Sequence, residues 1–370
     1  VPMDDRPVNL EYVADTARAD GETIVTPPVL NIAGRQRPGN VPGLWNWVFE
    51  QGAVSDAMVL SADSLVYGGL VASRTHFDSE AELSARLEKF RELKQRYPAL
   101  RLYVFNTIMR TPKMSAGSTE PPYYEQLGPS IFRITALEDK REIVGLTAGE
   151  TAELAQLIVR VPAVNLADWR TRRAKNYRIN EQLQQLAREG TFEYLLLGRD
   201  DASPLSASHQ EARHLQTSGA GMAASRYLSI PGADNLGMSL VVQAINDVNF
   251  RLPLVKVFYA PGAGGATVAS YEDRPLSESI PQHIVVAGGV KADWVERPDL
   301  VLAVNSPADG RTREANQPGN VMQANPAVRT FVGRVRSDVE AGRHVAVGDV
   351  SFANGADNSL LPLLKEQGLL

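Results

Sequence analysis

One repeated unit constrains this chain more than any other feature. A short apolar or β-branched run stops at Asp, Asn, Gly or Pro, and a helical pattern follows it. Ala57-Met58-Val59-Leu60 stops at Ser61-Ala62-Asp63-Ser64, and residues 79–96 then read as an amphipathic helix. Leu102-Tyr103-Val104-Phe105 stops at Asn106-Thr107, with Arg110 just beyond. Tyr194-Leu195-Leu196-Leu197 runs into Gly198-Arg199-Asp200-Asp201, and the run 226–230 meets Pro231-Gly232-Ala233-Asp234-Asn235. The runs 23–26, 255–259, 283–287, 300–304 and 344–347 read as strands in the same way, and 113–190 reads as mostly helical.

Strands buried on both faces of a parallel sheet are continuously apolar, and helices supply the crossovers between them. The expected fold is therefore α/β, with mostly parallel sheets and flanking helices. About nine candidate strands exceed one eight-stranded barrel. Two lobes are expected, an N-terminal α/β domain over 1–250 that carries the candidate active site and a C-terminal α/β domain over 251–370. A distorted TIM-like barrel is the alternative. In such folds functional groups gather at the carboxyl ends of the strands.

Composition removes several function classes. The 370 residues carry a net charge of −5 without a long basic tract, which disfavours nucleic acid as a partner. The densest basic cluster, Arg170, Arg172, Arg173, Lys175 and Arg178, reads as a solvated helix face, with an anionic-ligand site as the competing reading. Absence of cysteine excludes disulfides, thiolate zinc sites and cysteine nucleophiles. No apolar run approaches the roughly 20 residues of a membrane helix. No signal peptide is visible, so the cytoplasm and an exported location with the signal absent both stay open, as does the oligomeric state. Val1-Pro2-Met3-Asp4-Asp5 reads as the end of a strand whose start is missing, so a processed or truncated N-terminus is expected.

Asp200-Asp201 is the sharpest chemical signal. Adjacent residues at a strand end point in different directions, so one carboxylate can enter a pocket while the other supports it. Such a pair splits acid and base roles when its two environments differ. The bland reading is a cap on a helix beginning near Ser206. Asp4-Asp5-Arg6-Pro7 is the second signal, with Arg6 placed to hold a carboxylate or meet an anionic group in bidentate fashion. Asp63, Asn106, Arg110, Asp234, Asn235, Asn305, Asp349 and Asn354 recur in similar places; singly each reads as a turn or cap residue. Together they suit recognition of sugar hydroxyls, which need donors and acceptors. His209 and His214 are not at the usual helical zinc spacing, and His76 and His283 lie in no motif. Gly262, Gly264 and Gly265 match neither a dinucleotide fingerprint nor a P-loop, and no Gly-x-Ser-x-Gly elbow is present.

Several motifs carry a resemblance. The opening 1–9, Leu197-Gly198-Arg199-Asp200-Asp201-Ala202-Ser203-Pro204, Pro231-Gly232-Ala233-Asp234 and the stretch 348–357 resemble, in this order, the bacterial proteins grouped as domain-of-unknown-function family 4127. The resemblance spans nearly the whole chain and brings no activity to carry over. It implies a further C-terminal segment rich in Trp, Asn, Thr and Gly, so this chain is expected to be truncated at Leu370 as well. The family's acidic residue after Pro-Gly-Ala-Asp is Asn235 here, which argues against an essential acid at that position. The Asp-Asp pair is also similar to the catalytic pair of some retaining hexosaminidases, in which one carboxylate orients the substrate's acetamido group and its neighbour is the general acid.

The leading expectation is a carbohydrate-active hydrolase of glycosidase type acting on a small-molecule or glycan substrate, without cofactor. Asp200 and Asp201 are its catalytic carboxylates. Asp4, Asp5, Arg6, Asp63, Asn106, Arg110, Asp234, Asn235, Asn305 and Asn354 are its substrate-binding residues. One alternative is a hydrolase that depends on a divalent cation, with Asp5, Asp63, Asp200 and Asp349 as oxygen ligands. Another is a non-catalytic, two-lobed sugar- or anion-binding protein.

Overall fold

Four of the apolar runs pair in the order in which they occur. β1 (Ala57–Ser61), β2 (Arg101–Ile108), β3 (Tyr194–Arg199) and β4 (Tyr227–Pro231) form one parallel sheet, β1-β2-β3-β4. The computed structural model describes residues 1–370 and divides them into two compact units, Val1–Asn249 and Phe250–Leu370.

In the first unit the helices are α1 (Glu11–Ala19), α2 (Val41–Gly52), α3 (Leu70–Thr75), α4 (Glu80–Arg96), α5 (Tyr124–Ile143), α6 (Ala148–Arg160), α7 (Ala163–Arg188), α8 (Ala207–Ser218) and α9 (Leu236–Val248). Every residue of β3 is buried, as a central parallel strand requires. One sheet face meets α2, α4, α7 and α8 in a core that includes Trp45, Leu60, Phe90, Val104, Leu183 and Leu197. The opposite face meets α1 and α9 through Val13, Ala17, Val59 and Val241. Gly198 lets β3 approach the turn after β4, because a Cβ there would lie 2.5 Å from the Gly232 carbonyl oxygen and 2.4 Å from Leu236 Cδ1. Helix starts are set locally: α4 and α6 open with reciprocal capping boxes, Ser79 with Glu82 and Thr147 with Glu150.

The second unit contains β5 (Leu254–Tyr259), β6 (Val290–Lys291), β7 (Leu300–Asn305), β8 (Arg313–Glu314), β9 (Val345–Asp349) and β10 (Phe352–Ala353), with helices α10 (Leu276–Val286), α11 (Pro326–Glu340) and α12 (Leu360–Glu366). Its main sheet is parallel with order β6-β5-β7-β9, and β8 and β10 form a separate two-stranded ladder.

The fold is mixed α/β with parallel sheets flanked by helices. Both sheets are open, so the barrel alternative does not hold. Two strand expectations also fail. Residues 283–287 belong to α10 and the turn after it, because Leu276, Ile280 and Ile284 recur every fourth residue and pack as one helical stripe. Residues 23–26 have strand composition but form no strand, since no neighbour supplies a ladder.

Candidate functional site

The first sheet directs its polar residues to the carboxyl ends of its strands. Directly after β1, residues Asp63–Tyr67 form one π-helical turn that is buried throughout and ends at Gly68, φ +90°. This turn fixes Asp63 against β2. Its Oδ1 accepts from Thr107 Oγ1 at 2.7 Å and its Oδ2 from Thr107 N at 3.0 Å. Burial pushes the Asp63 carboxyl up to about 6, against the Thr107 hydrogen bonds and the nearby Arg74 charge.

A ring of alternating acids and bases lies beside it. Arg74 of α3 donates to Asp200 Oδ2, and its Nη1 lies 3.4 Å from Glu120 Oε1. The same Glu120 oxygen accepts from Arg110 Nε at 2.7 Å, and Arg110 Nη1 donates to Asp201 Oδ2 at 2.7 Å. The Asp200–Asp201 peptide closes the ring. Arg110 Nη2 is also tied to Thr119 Oγ1 at 2.7 Å. Side-chain exposure separates the acids: Glu120 is enclosed at 0%, Asp200 stands at 12% and Asp201 reaches 29%. Glu120 Oε2 is buried without a partner.

Burial raises the Glu120 and Asp201 carboxyls above the ordinary carboxylate range, and for Asp201 the adjacent Asp200 adds to the shift. Arg110 is raised in turn: burial alone would lower it, but Glu120, Asp200 and Asp201 outweigh that. Asp201 also has φ +44°, a left-handed conformation that non-glycine residues seldom adopt and that recurs at functional sites. Neither aspartate caps the following helix, because Ser206 does so through His209 N.

A second cluster sits at the same sheet edge. Arg6 Nη2 donates to Asp4 Oδ2 at 2.8 Å and to Asp234 Oδ1 at 2.6 Å, and its Nη1 reaches Asp234 Oδ2 at 2.9 Å. Asn9 Nδ2 donates to Asp4 Oδ1 at 2.7 Å. The Arg6 and Asp234 side chains are 43% and 44% exposed, whereas Asp4 and Asn9 beside them are buried. It abuts the buried turn, since Ser64 Oγ donates to the Met3 carbonyl at 3.1 Å. Asp5 N donates to Ala33 O, and the Asn235 side chain lies against Gly232.

Helix α7 adds a stripe that the sequence reading did not contain. Arg172, Arg173, Asn176, Asn180 and Gln184 are all buried, so the basic cluster is not one solvated face. Only its outer members Arg170 and Arg178 make exposed pairs, with Glu138 and Glu80. Arg173 forks onto Glu211 at 2.8 Å twice and donates to the Arg110 carbonyl at 3.1 Å, which steadies the segment carrying Arg110. Asn106 Nδ2 donates to Asn180 Oδ1 at 2.8 Å, so Asn106 faces α7, on the pleat opposite Thr107. His76 Nε2 lies 3.1 Å from Asn176 Oδ1, and burial pushes its imidazole down to about 4. The Tyr67 ring lies tilted against it, centroids 5.0 Å apart, with a buried hydroxyl that has no partner.

Asn305, Asp349 and Asn354 belong to the second unit. Asn305 Nδ2 donates to Asp349 Oδ1 at 3.0 Å, and Asp349 also accepts from Ser351 N at 3.1 Å and Asp357 N at 2.6 Å. Asn354 donates to Glu314 Oε2 at 2.9 Å. These contacts fix the loops after β7 and β9. Gly262 serves loop packing as well, since a Cβ there would lie 2.4 Å from the Ala308 carbonyl oxygen.

His209 and His214 pair separately with Asp139 and Glu142, at 2.7 and 2.9 Å. No three His, Asp or Glu side chains come together as a group able to hold a metal ion. No helix is long and apolar enough to cross a membrane.

Fold and site together define a class: open parallel α/β proteins that gather carboxylates and arginines at the strand ends of one sheet. Within that class, the family model described as "Protein of unknown function (DUF4127)" matches residues 1–370, and the chain belongs to that family. No curated protein and no solved structure matches it.

Proposed function

We propose that the first unit is a hydrolase acting on glycosidic bonds, with Asp201 as the carboxyl group that exchanges a proton with the substrate. The observation that carries this reading is the unlike treatment of two adjacent aspartates. Asp200 is pinned by the buried Arg74, whereas Asp201 is raised by burial and by Asp200, yet reaches solvent. A carboxyl whose hold on its proton is raised can donate that proton to a leaving oxygen and take one back from water. Asp200 then orients the substrate or stabilises positive charge at the reacting carbon. The exposed Arg6 and Asp234, held from behind by the buried Asp4 and Asn9, offer the donors and acceptors that a polyhydroxylated ligand needs.

The cation-dependent alternative is less well supported. Asp63 is already engaged by Thr107 and Asp200 by Arg74. The non-catalytic alternative draws on one feature, that the Arg6 cluster is satisfied within the chain. A panel of chromogenic glycosides, assayed with and without chelator, separates the three. Release of the chromophore that survives chelation supports the proposal. Chelator-sensitive release supports a cation, and saccharide binding without release on any glycoside supports a binder.

A further inference from the structure

Glu120 is the acid that both arginines of the ring share. Pro121 and Pro122 follow it, and a residue ahead of proline is confined mostly to extended backbone, which fixes Glu120 just before α5. Its side chain is fully enclosed, and its Oε1 accepts from Arg110 Nε at 2.7 Å and from Arg74 Nη1 at 3.4 Å. Oε2 has no partner, so the two guanidinium ions alone stabilise this carboxylate. Both contacts are donors, as an ionised carboxyl group requires.

Charge balance then singles out Asp201. The ring holds three carboxyl groups, Glu120, Asp200 and Asp201, against two guanidinium ions, Arg74 and Arg110. A buried charge needs a partner, and one of the three acids has no cation of its own. The groups on neighbouring elements do not make up the deficit. Asp63, on the turn after β1, is one more buried acid. On α5 and just ahead of it, Tyr124 and Tyr123 lie within reach of the Glu120 charge but donate elsewhere, to the Pro112 carbonyl at 2.9 Å and to Asp168 Oδ2 at 2.6 Å. On α7, Arg173 is forked onto Glu211. Asp201 shares Arg110 with Glu120 and is the most exposed of the three, so it is the acid that can take its proton from solvent.

We propose that Glu120 is the positioning residue that keeps the proton on Asp201: by engaging both Arg74 and Arg110, it leaves Asp201 without a full counter-charge. The inference rests on the reading of Asp201 as the proton-exchanging group. With Glu120 neutral, two cations would face two carboxylates, and Asp201 would give up its proton and cease to be an acid. Fully enclosed, Glu120 acts only through the two arginines.

The test follows Asp201 directly, by the NMR shift of its carboxyl carbon during a pH titration, assigned with Asp201→Asn. Glu120→Gln keeps the size of the side chain and an acceptor for Arg110, and it is expected to lower the Asp201 midpoint by about one pH unit or more. Adding Arg74→Met removes a cation along with the anion and is expected to bring the midpoint back up. Should Glu120→Gln alone not fold, Arg74→Met is compared with the double variant, and the midpoint is again lower where Glu120 is neutral. A midpoint that neutralising Glu120 leaves in place overturns the proposal. One that stays low in the double variant does so too, since Glu120 then acts through shape and not charge. On a glycoside that the wild type cleaves, the alkaline limb of kcat/KM moves to lower pH with the midpoint, because a general acid must be protonated. A lowered midpoint without turnover on any glycoside upholds this role of Glu120 and removes the glycosidase reading; turnover with an unmoved midpoint does the reverse.

Discussion

Arg110 holds Asp201 through one 2.7 Å hydrogen bond, from Nη1 to Oδ2, while its Nε is committed to the enclosed Glu120. The attachment is one-sided. It fixes the position of Asp201 and leaves Oδ1 unbonded, at the most exposed point of the ring. A carboxyl group used for proton exchange needs that arrangement: a fixed location, one free oxygen and an affinity for protons raised by its surroundings.

Asp63 makes stability fall as pH rises. Its carboxyl moves from 3.8 in the unfolded chain to about 6 in the fold, so the folded state binds the proton more tightly. Its favourable contribution is complete below pH 3.8 and is lost as pH rises through 6, an effect of about 3 kcal/mol. Asp63→Asn mimics the protonated form and keeps an acceptor for Thr107 N. Denaturant midpoints should show the variant more stable than wild type at pH 7 and equal to it near pH 4. A variant less stable at pH 7 contradicts the assignment.

His76 acts in the opposite sense. Burial lowers it from 6.5 to about 4, so the folded state releases the proton that the unfolded chain holds. Its contribution is present above pH 6.5 and is lost as pH falls toward 4, by at most about 3 kcal/mol. The two slopes overlap and partly cancel. His76→Gln should therefore unmask the Asp63 slope, with stability rising steadily on acidification between pH 6.5 and 4. An unchanged pH–stability profile would count against a neutral buried imidazole.

Arg74→Met removes the cation between two buried acids, Asp200 and Glu120. Breaking one side of a buried ion pair costs about 3–5 kcal/mol, because the remaining charge has no compensation. Adding Asp200→Asn should recover part of the loss. Chemical denaturation of the single and double variants measures both effects, and a single-variant loss below about 1 kcal/mol would show that Arg74 is not the clamp described.

Gly198→Ala tests how β3 meets α9. The new methyl would contact the Gly232 carbonyl and Leu236, and overpacking of this kind costs about 1–3 kcal/mol. A neutral result in thermal melting would mean that the β4–α9 turn gives way easily.

Much of the fold was legible because parallel strands announce themselves as apolar runs with polar stops. β1 to β4 begin and end within a few residues of those runs. The 23–26 run misled because composition reports strand propensity, whereas a strand also needs a neighbour. The 283–287 run misled because a short apolar segment reads alike as strand or helix; only the wider spacing from Leu276 to Ile284 decides it. In the site, the strand-end positions of Asp63, Asp200 and Asp201 were readable. Arg74 and Glu120 were not: Arg74 lies 126 residues from Asp200 and 46 from Glu120, and no local pattern marks either. Burial of Arg172 and Arg173 was hidden for the same reason, although the four-residue spacing of Arg172, Asn176, Asn180 and Gln184 was a usable signal for one polar helix face.

The most direct measurement of the central claim is kcat/KM of Asp201→Asn beside wild type, on whichever chromogenic glycoside the wild type cleaves, with the fold checked by circular dichroism. Loss of a general acid predicts a fall of about 10²–10⁴-fold, together with loss of the limb of the pH–rate profile that Asp201 governs. Turnover within about twofold of wild type, with the same pH profile, would contradict the account.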